Sequence, residues 1–180
     1  MMATLAACDR QSGADKQPPA AIQSSGQSAT AELPAGEVDR SHKGSRLPDM
    51  TFKDASGKTI RTTTLTGKPL LINLWATWCG PCVAELPELD RLAAQGKVQV
   101  LTLSQDTGAK EKVAAFLKDK GLTHLAPWLD PEAQAAMQWQ VSTLPASIYY
   151  DAQGREVWRI NGSKAWAGAE GASLLAEAGG

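Results

Sequence analysis

The chain has 180 residues, a formal net charge of -1 and only three cysteines. This length allows one ordinary domain plus a tail, and the near-neutral charge gives no sign of a surface that binds nucleic acid or an anionic membrane. No apolar run approaches the roughly 18 residues that a membrane-spanning helix needs.

The first segment is polar and carries one isolated cysteine. Residues 9–46 contain few large aliphatic side chains and no aromatic one, so we predict that they are disordered. Leu5-Ala6-Ala7-Cys8 resembles a bacterial lipobox, in which the cysteine is lipidated, and Asp9 fits an inner-membrane sorting signal. Because only seven residues, none of them basic, precede Cys8, we expect residues 1–46 to be a truncated lipoprotein-type signal remnant and a disordered linker. The alternative is a chance cysteine in a disordered tail.

The pattern changes at Leu47, and residues 47–180 are predicted to form one domain. Met50–Phe52 and Thr59–Thr63 read as two strands of a hairpin. The apolar run Leu70–Ala76 is typical of a central strand buried on both faces. Gly80–Gln95 follows with apolar residues at helical spacing.

Strands and helices continue to alternate to the end of the chain. The remaining predicted elements are a strand at Val98–Leu103, a helix at Lys110–Lys120, a short strand at Leu125–Leu129, a helix from Asp130 to Trp139, a hairpin of Ala146–Tyr150 and Glu156–Ile160, and a helix at Ala165–Ala178. This order predicts an α/β domain with a mixed central sheet and helices on both faces.

Chemistry is expected at Trp78-Cys79-Gly80-Pro81-Cys82, which follows a buried strand and opens a helix. The N-terminus of a helix favours an anion, so a thiolate is stabilised there. We expect Cys79 to be the nucleophile and Cys82, deeper in the helix, to resolve the mixed disulfide.

Two other uses of this cysteine pair are disfavoured. A structural zinc site needs about four ligands, and the chain offers only Cys8, His42 and His124 beyond the pair. A purely structural disulfide fits poorly with the Gly-Pro spacer. We therefore expect no metal and no organic cofactor, the redox-active disulfide Cys79–Cys82 serving as the only redox group.

Residues 47–180 resemble thioredoxin-superfamily proteins of the TlpA/ResA type. The resemblance rests on LINLWATWCGPCVAELPEL, on Leu144-Pro145 before a strand, and on the turn at Asp151–Gly154. It implies a thioredoxin fold with an extra N-terminal β-hairpin. It also implies a membrane-tethered thiol–disulfide oxidoreductase of the bacterial periplasm, here as an inner-membrane-anchored lipoprotein.

The resemblance also assigns a proton acceptor. Thioredoxins carry a buried aspartate six residues before the first cysteine, where this chain has Asn73. The TlpA/ResA group instead has a glutamate three residues after the second cysteine, here Glu85. The spacing of three places Glu85 on the same side of the helix as Cys82, where a carboxylate could accept its proton. The alternative is a solvated helix residue.

Substrate docking is implied at residues beside the cysteines. Pro145 corresponds to the cis-proline of the family, with an ordinary trans proline as the alternative, and Leu144 helps to select substrates. Trp78, Gly80 and Pro81 complete the docking surface. The other tryptophans are expected to be packing residues or surface anchors: Trp75, Trp128, Trp139, Trp158 and Trp166.

Function follows from the motif and the resemblance. Gly80-Pro81 is the spacer of thioredoxin, at the reducing end of the known range, so we expect a protein-disulfide reductase. Its partners would be cysteine-containing substrate proteins and a membrane thiol electron donor of the CcdA/DsbD type. Apocytochrome c, a copper-site assembly protein or misoxidised proteins would all fit as substrates. The alternative is a chaperone or metallochaperone-type binding module for cytochrome or copper-site assembly.

Overall fold

A mixed sheet forms the centre of the computed structural model, which describes residues 1–2, 36–108 and 110–179. Within these residues the sheet has eight strands in the order β1-β8-β7-β4-β5-β6-β2-β3. Strand β4 pairs in parallel with β5 and antiparallel with β7. The strands are β1 Glu37–Asp39, β2 Thr51–Lys53, β3 Thr59–Arg61, β4 Leu70–Trp75, β5 Gln99–Ser104, β6 Trp128–Leu129, β7 Ala146–Tyr150 and β8 Glu156–Asn161.

Four α-helices occur in the part of the chain that the structure describes: α1 Gly80–Gln95, α2 Glu111–Asp119, α3 Gln134–Gln138 and α4 Ala169–Ala176. Short 3-10 helices lie at Thr62–Leu65 and Glu177–Gly179. No helix among the described residues is long and apolar enough to cross a membrane.

Helices cover both faces of the sheet, as predicted. Every residue of β4 is buried. Leu71 and Trp75 belong to a core shared with α1, α2 and α4. Leu70, Ile72 and Leu74 belong to a second core that includes residues from α3. Because successive side chains of a strand point to opposite faces, this division explains the continuous apolar run of β4.

Helix α1 carries the predicted motif and is firmly anchored. Leu86 and Leu89 are fully buried, and the helix ends at Gly96, whose φ of 67° is in the left-handed region. Pro87 lies inside the helix on its exposed side. The motif is therefore held between a central strand and a helix with a buried stripe.

The domain begins earlier than the predicted boundary at residue 47. Strand β1 pairs with β8, Val38 lying opposite Ile160 and packing against the core. A Cβ atom on Gly36 would lie 2.3 Å from Cγ2 of Ile160, so glycine is required for this close approach. The prediction that residues 36–46 belong to a disordered linker is wrong, because backbone pairing and one valine suffice to add an edge strand. Cys8 lies outside the described residues.

Two predicted helices begin later than expected. Helix α3 starts at Gln134, because Asp130 accepts hydrogen bonds from the backbone N–H groups of Gln134 and Ala135, each 2.9 Å long, across a non-helical turn. Helix α4 starts at Ala169 and not at Ala165. The preceding loop instead reaches α1, as described below.

Candidate active site

The site is built where β4 gives way to α1. Cys79 is the N-cap residue of α1 and Cys82 lies in its first turn, and a disulfide joins them. The backbone N–H of Cys82 donates to Sγ of Cys79 over 3.3 Å. An N-cap atom at this position faces the unpaired N–H groups of the helix, which favour negative charge on sulfur when the disulfide is reduced.

The two sulfurs differ in their access to other molecules. Cys79 is 6% exposed and lines a surface groove. Cys82 is 1% exposed and packs within the core on the α1 side of the sheet. A substrate can therefore approach Cys79 first. This arrangement supports the predicted order, with Cys79 as nucleophile and Cys82 as resolving residue.

A groove of about 480 Å³ opens beside Cys79. It collects the residues that were predicted for substrate docking, namely Trp78, Gly80, Pro81 and Leu144. Trp78 is 68% exposed, which is unusual for so large an apolar side chain. Other lining residues come from the end of β5 and from the segment around α3: Gln105, Ala136, Val141, Ser142 and Thr143.

Pro145 follows the groove residue Leu144, and the peptide bond between them is cis, as predicted. Pro145 is buried at the start of β7, and its carbonyl accepts a hydrogen bond from the N–H of Gly162 over 2.8 Å. The Pro145 carbonyl is thus hydrogen-bonded within the domain, and Leu144 is the residue of this segment that lines the groove.

A buried carboxylate that the sequence did not indicate holds the turn before the cysteines. Asp106 accepts hydrogen bonds from the backbone N–H and the hydroxyl of Thr77, at 2.8 and 2.6 Å, and from the hydroxyl of Ser104 at 2.8 Å. These bonds tie the end of β5 to the residue preceding Trp78. They fix the position from which Trp78 and Cys79 project.

Glu85 is buried, at 5% exposure, which excludes the alternative of a solvated helix residue. Burial raises its pKa from 4.5 to about 7, although the Trp166 indole N–H and the Lys164 backbone N–H favour the ionised form. Oε1 accepts the hydrogen bond from Nε1 of Trp166. Oε2 is buried and makes no hydrogen bond of normal geometry to any described residue.

Asn73 occupies the position of the thioredoxin aspartate. It is 1% exposed, and its amide donates to the hydroxyl of Ser147 over 3.1 Å. An amide cannot take up a proton under these conditions. Asn73 therefore cannot replace the thioredoxin aspartate as a proton acceptor.

Trp166 is the residue whose part in the site the sequence did not reveal. It lies 81 positions from Glu85, in the loop between β8 and α4. No local pattern marks it, because the contact depends entirely on the tertiary fold. A polar indole N–H in a segment near the C-terminus was its only distinctive feature.

The arrangement suits reversible disulfide exchange, because one sulfur is accessible, its partner is sequestered, and a buried carboxyl lies one helical turn from the sequestered sulfur. Together with the sheet order, these features are characteristic of the thioredoxin superfamily. The chain belongs to the Redoxin family, whose sequence model matches residues 42–172.

Similar proteins carry names of the same class. The chain is 32% identical over 104 residues to a thiol:disulfide interchange protein DsbE of Xylella fastidiosa, a match covering 58% of this chain and 52% of that protein. A DsbE of Vibrio cholerae is 32% identical over 129 residues, covering 68% of each. The thiol-disulfide oxidoreductase ResA of Bacillus subtilis is 29% identical over 123 residues, covering 67% and 68%. The chain thus spans about half the length of the first of these relatives.

Solved structures agree on the fold. A DsbE-like protein of Chlorobium tepidum superposes with a TM-score of 0.67 at 23% identity, covering 77% of this chain and 98% of that one. An exposed lipoprotein thioredoxin of Streptococcus pneumoniae gives a TM-score of 0.61 at 24% identity, covering 71% and 98%. The predicted thioredoxin fold and the TlpA/ResA-like family are confirmed.

Proposed function

We propose that this protein reduces disulfides in substrate proteins outside the cytoplasm, using the dithiol form of Cys79 and Cys82 and no further cofactor. The observation that carries the proposal is the unequal exposure of the two cysteines joined by the disulfide at the start of α1. Cys79 lines a groove, whereas Cys82 lies in the core. The family and the names of the relatives support the same chemistry.

The reaction starts from the reduced enzyme. The Cys79 thiolate attacks one sulfur of the substrate disulfide, forming a mixed disulfide and releasing one substrate thiolate, which takes a proton from water. Cys82 then gives its proton to Glu85 and attacks Sγ of Cys79. The second substrate sulfur leaves as a thiolate, which takes up a proton from Glu85 or water, and two electrons have passed from the dithiol to the substrate.

The groove explains how a substrate could be held during this exchange. Trp78 and Leu144 offer apolar surface in the groove that Cys79 also lines, and a cysteine-containing segment bound in this groove would bring its sulfur to Sγ of Cys79. Such segments occur in many proteins, so the natural substrate is open. Proteins awaiting cytochrome c or copper-site assembly are the candidates that the family resemblance suggests.

The direction and the location of the reaction are also proposals. The Gly80-Pro81 spacer favours a reducing potential. One structural neighbour is described as an exposed lipoprotein, which supports an extracytoplasmic location and lipid attachment at Cys8. A reductase in that compartment needs a supply of electrons, for which we propose a membrane thiol carrier of the CcdA/DsbD type.

The test is catalytic reduction of insulin by the purified protein with dithiothreitol as electron source. Wild type should reduce many insulin disulfides per molecule, Cys79→Ser none, and Cys82→Ser should accumulate a mixed disulfide with insulin chains. If wild type and Cys79→Ser bind insulin equally and neither reduces it, the protein is a binding module and the proposal fails.

A further inference from the structure

We propose that Trp166 is a positioning residue for the resolving step. Its indole N–H holds Oε1 of Glu85, so that Oε2, which accepts no hydrogen bond of normal geometry from any described residue, is left to accept the proton of Cys82. The inference rests on the proposed function, because it concerns how the second thiol of the pair is activated.

Three independent contacts fix Trp166. Its Nε1 donates to Oε1 of Glu85, and its backbone N–H donates to Oε2 of Glu88, one turn further along α1. Its ring stacks on Trp158, with centroids 5.9 Å apart and an interplanar angle of 17°. The side chain is 5% exposed. Because the backbone N–H, the ring face and the indole nitrogen of Trp166 are all engaged, the ring has little freedom to rotate away from Glu85.

Gly171 leaves space for the loop that contains Trp166. A Cβ atom on Gly171 would lie 2.5 Å from the carbonyl oxygen of Ala165 and 2.8 Å from Cα of Trp166. The absence of a side chain in the first turn of α4 therefore allows the loop to approach closely. The N–H of Ala167 adds a second bond to Oε2 of Glu88, at 3.0 Å. The loop is clamped to the face of α1 that carries Cys82 and Glu85.

One carboxyl oxygen thus has a fixed side-chain donor, while the other accepts no hydrogen bond of normal geometry from any described residue. A carboxylate can accept through both oxygens, and a buried oxygen without a partner is costly. Since Cys82 lies three residues before Glu85 on the same helix, the two side chains lie on the same side of α1, and the Cys82 thiol of the reduced enzyme is a proton donor within one helical turn.

Few charged groups face this carboxyl. Among the described residues, Glu88 on the same helix opposes its ionisation, whereas the loop packed against it supplies the Trp166 indole N–H and the Lys164 backbone N–H, which favour the ionised form. The ammonium group of Lys164 is itself paired with Glu170. The neutral indole N–H of Trp166 is therefore the main group that stabilises the carboxylate against burial.

Removing that N–H should change the pH dependence of the second step. In Trp166→Phe the ring and its stacking on Trp158 are kept, but the pKa of Glu85 rises further because its first donor is lost. A hydrogen bond to a charged group shifts an equilibrium about tenfold or more, so less of Glu85 is ionised near pH 7. We expect the resolving step to slow about fivefold or more at pH 7 and to recover at alkaline pH.

The assay follows both steps in one reaction. When the reduced enzyme meets a chromogenic aromatic disulfide, attack by Cys79 releases one coloured thiolate and attack by Cys82 releases the second. Stopped-flow measurement from pH 5 to pH 10 should show a slowed, alkaline-shifted second phase in Trp166→Phe, with the first phase nearly unchanged. On a Glu85→Gln background, Trp166→Phe should add no further effect, because both changes act through one carboxyl.

A matched control is available in the adjacent indole. Trp158 is also buried, but its N–H donates to the carbonyl of Leu174 over 3.1 Å. Trp158→Phe removes a similar donor from the same stack and should leave the pH profile of the second phase in place. If Trp158→Phe and Trp166→Phe shift the profile equally, the effect comes from packing and the inference is wrong.

A second measurement does not depend on the folding of any tryptophan variant. In oxidised protein labelled with 5-fluorotryptophan, one of the six tryptophan resonances should titrate near pH 7 in wild type and stay constant in Glu85→Gln. The absence of such a titration in wild type would overturn the inference. Failure of the proposed function looks different, because wild type itself would then not reduce insulin.

Discussion

Replacing Glu85 with glutamine should stabilise the oxidised domain at neutral and alkaline pH but not near pH 4. Burial raises the pKa of Glu85 in the folded protein to about 7, against an ordinary value of 4.5. Between these values the folded state binds more protons than the unfolded state, so wild-type stability falls as the pH rises through this window. Glutamine fills the same space but does not ionise, so the variant lacks the pH dependence of stability that Glu85 causes.

The size of the effect follows from the difference between the two pKa values. It corresponds to about 3 kcal/mol of unfolding free energy, fully present below pH 4.5 and lost above about pH 7. The advantage of Glu85→Gln over wild type should therefore grow by about 3 kcal/mol from pH 4 to pH 8. Urea unfolding of both oxidised proteins at several pH values, followed by fluorescence, measures it.

Glu111→Gln serves as the control, because it removes a glutamate that is exposed at the start of α2. Its difference from wild type should change little with pH. If the Glu85→Gln difference is also constant between pH 4 and pH 8, the carboxyl ionises in the folded protein as it does in water. The reasoning that connects its burial to proton acceptance would then be refuted.

Four further outcomes are expected. In the reduced protein, limiting iodoacetamide should label Cys79 before Cys82, as mass spectrometry of the peptides would show; the reverse order contradicts their roles. Asp106→Ala leaves buried donors without an acceptor and should cost about 2–3 kcal/mol in urea unfolding, whereas an unchanged midpoint would show that the turn is held otherwise. Removing residues 1–46 deletes β1 and should lower the melting temperature relative to a chain that begins at Gly36; equal melting would mean that β1 adds no stability. In cells, Cys8→Ser should move the protein out of the membrane fraction, and unchanged fractionation would exclude lipidation at Cys8.

The parts of the fold that the sequence predicted well are those with strong local patterns. The apolar run of β4 and the helical spacing of α1 placed Cys79 and Cys82 at a strand-to-helix junction, where the structure has them. The start of α3 was predicted too early because Asp130 marks the beginning of the turn. Its carboxylate caps N–H groups four and five residues later, a pattern that local propensity does not distinguish from an ordinary N-cap.

The parts that were missed depend on contacts between distant segments. Val38 is the only apolar residue of β1, so the composition of this segment did not indicate that it would pair with β8. Burial of Glu85 was a choice between two alternatives that helical spacing alone could not settle. Its contact with Trp166 joins α1 to a loop 81 residues away, and neither residue carries a signal of the other.

The outermost described strands, β1 and β3, have a consequence for how the domain meets other chains. Each is only three residues long, and they carry acidic side chains in β1 and an Arg61–Asp49 ion pair beside β3. Short edge strands with charged side chains expose few unpaired backbone N–H and C=O groups. Addition of a further strand from an unfolded polypeptide is therefore disfavoured there. Encounters with the substrate proteins proposed above are thereby left to the apolar groove beside Cys79.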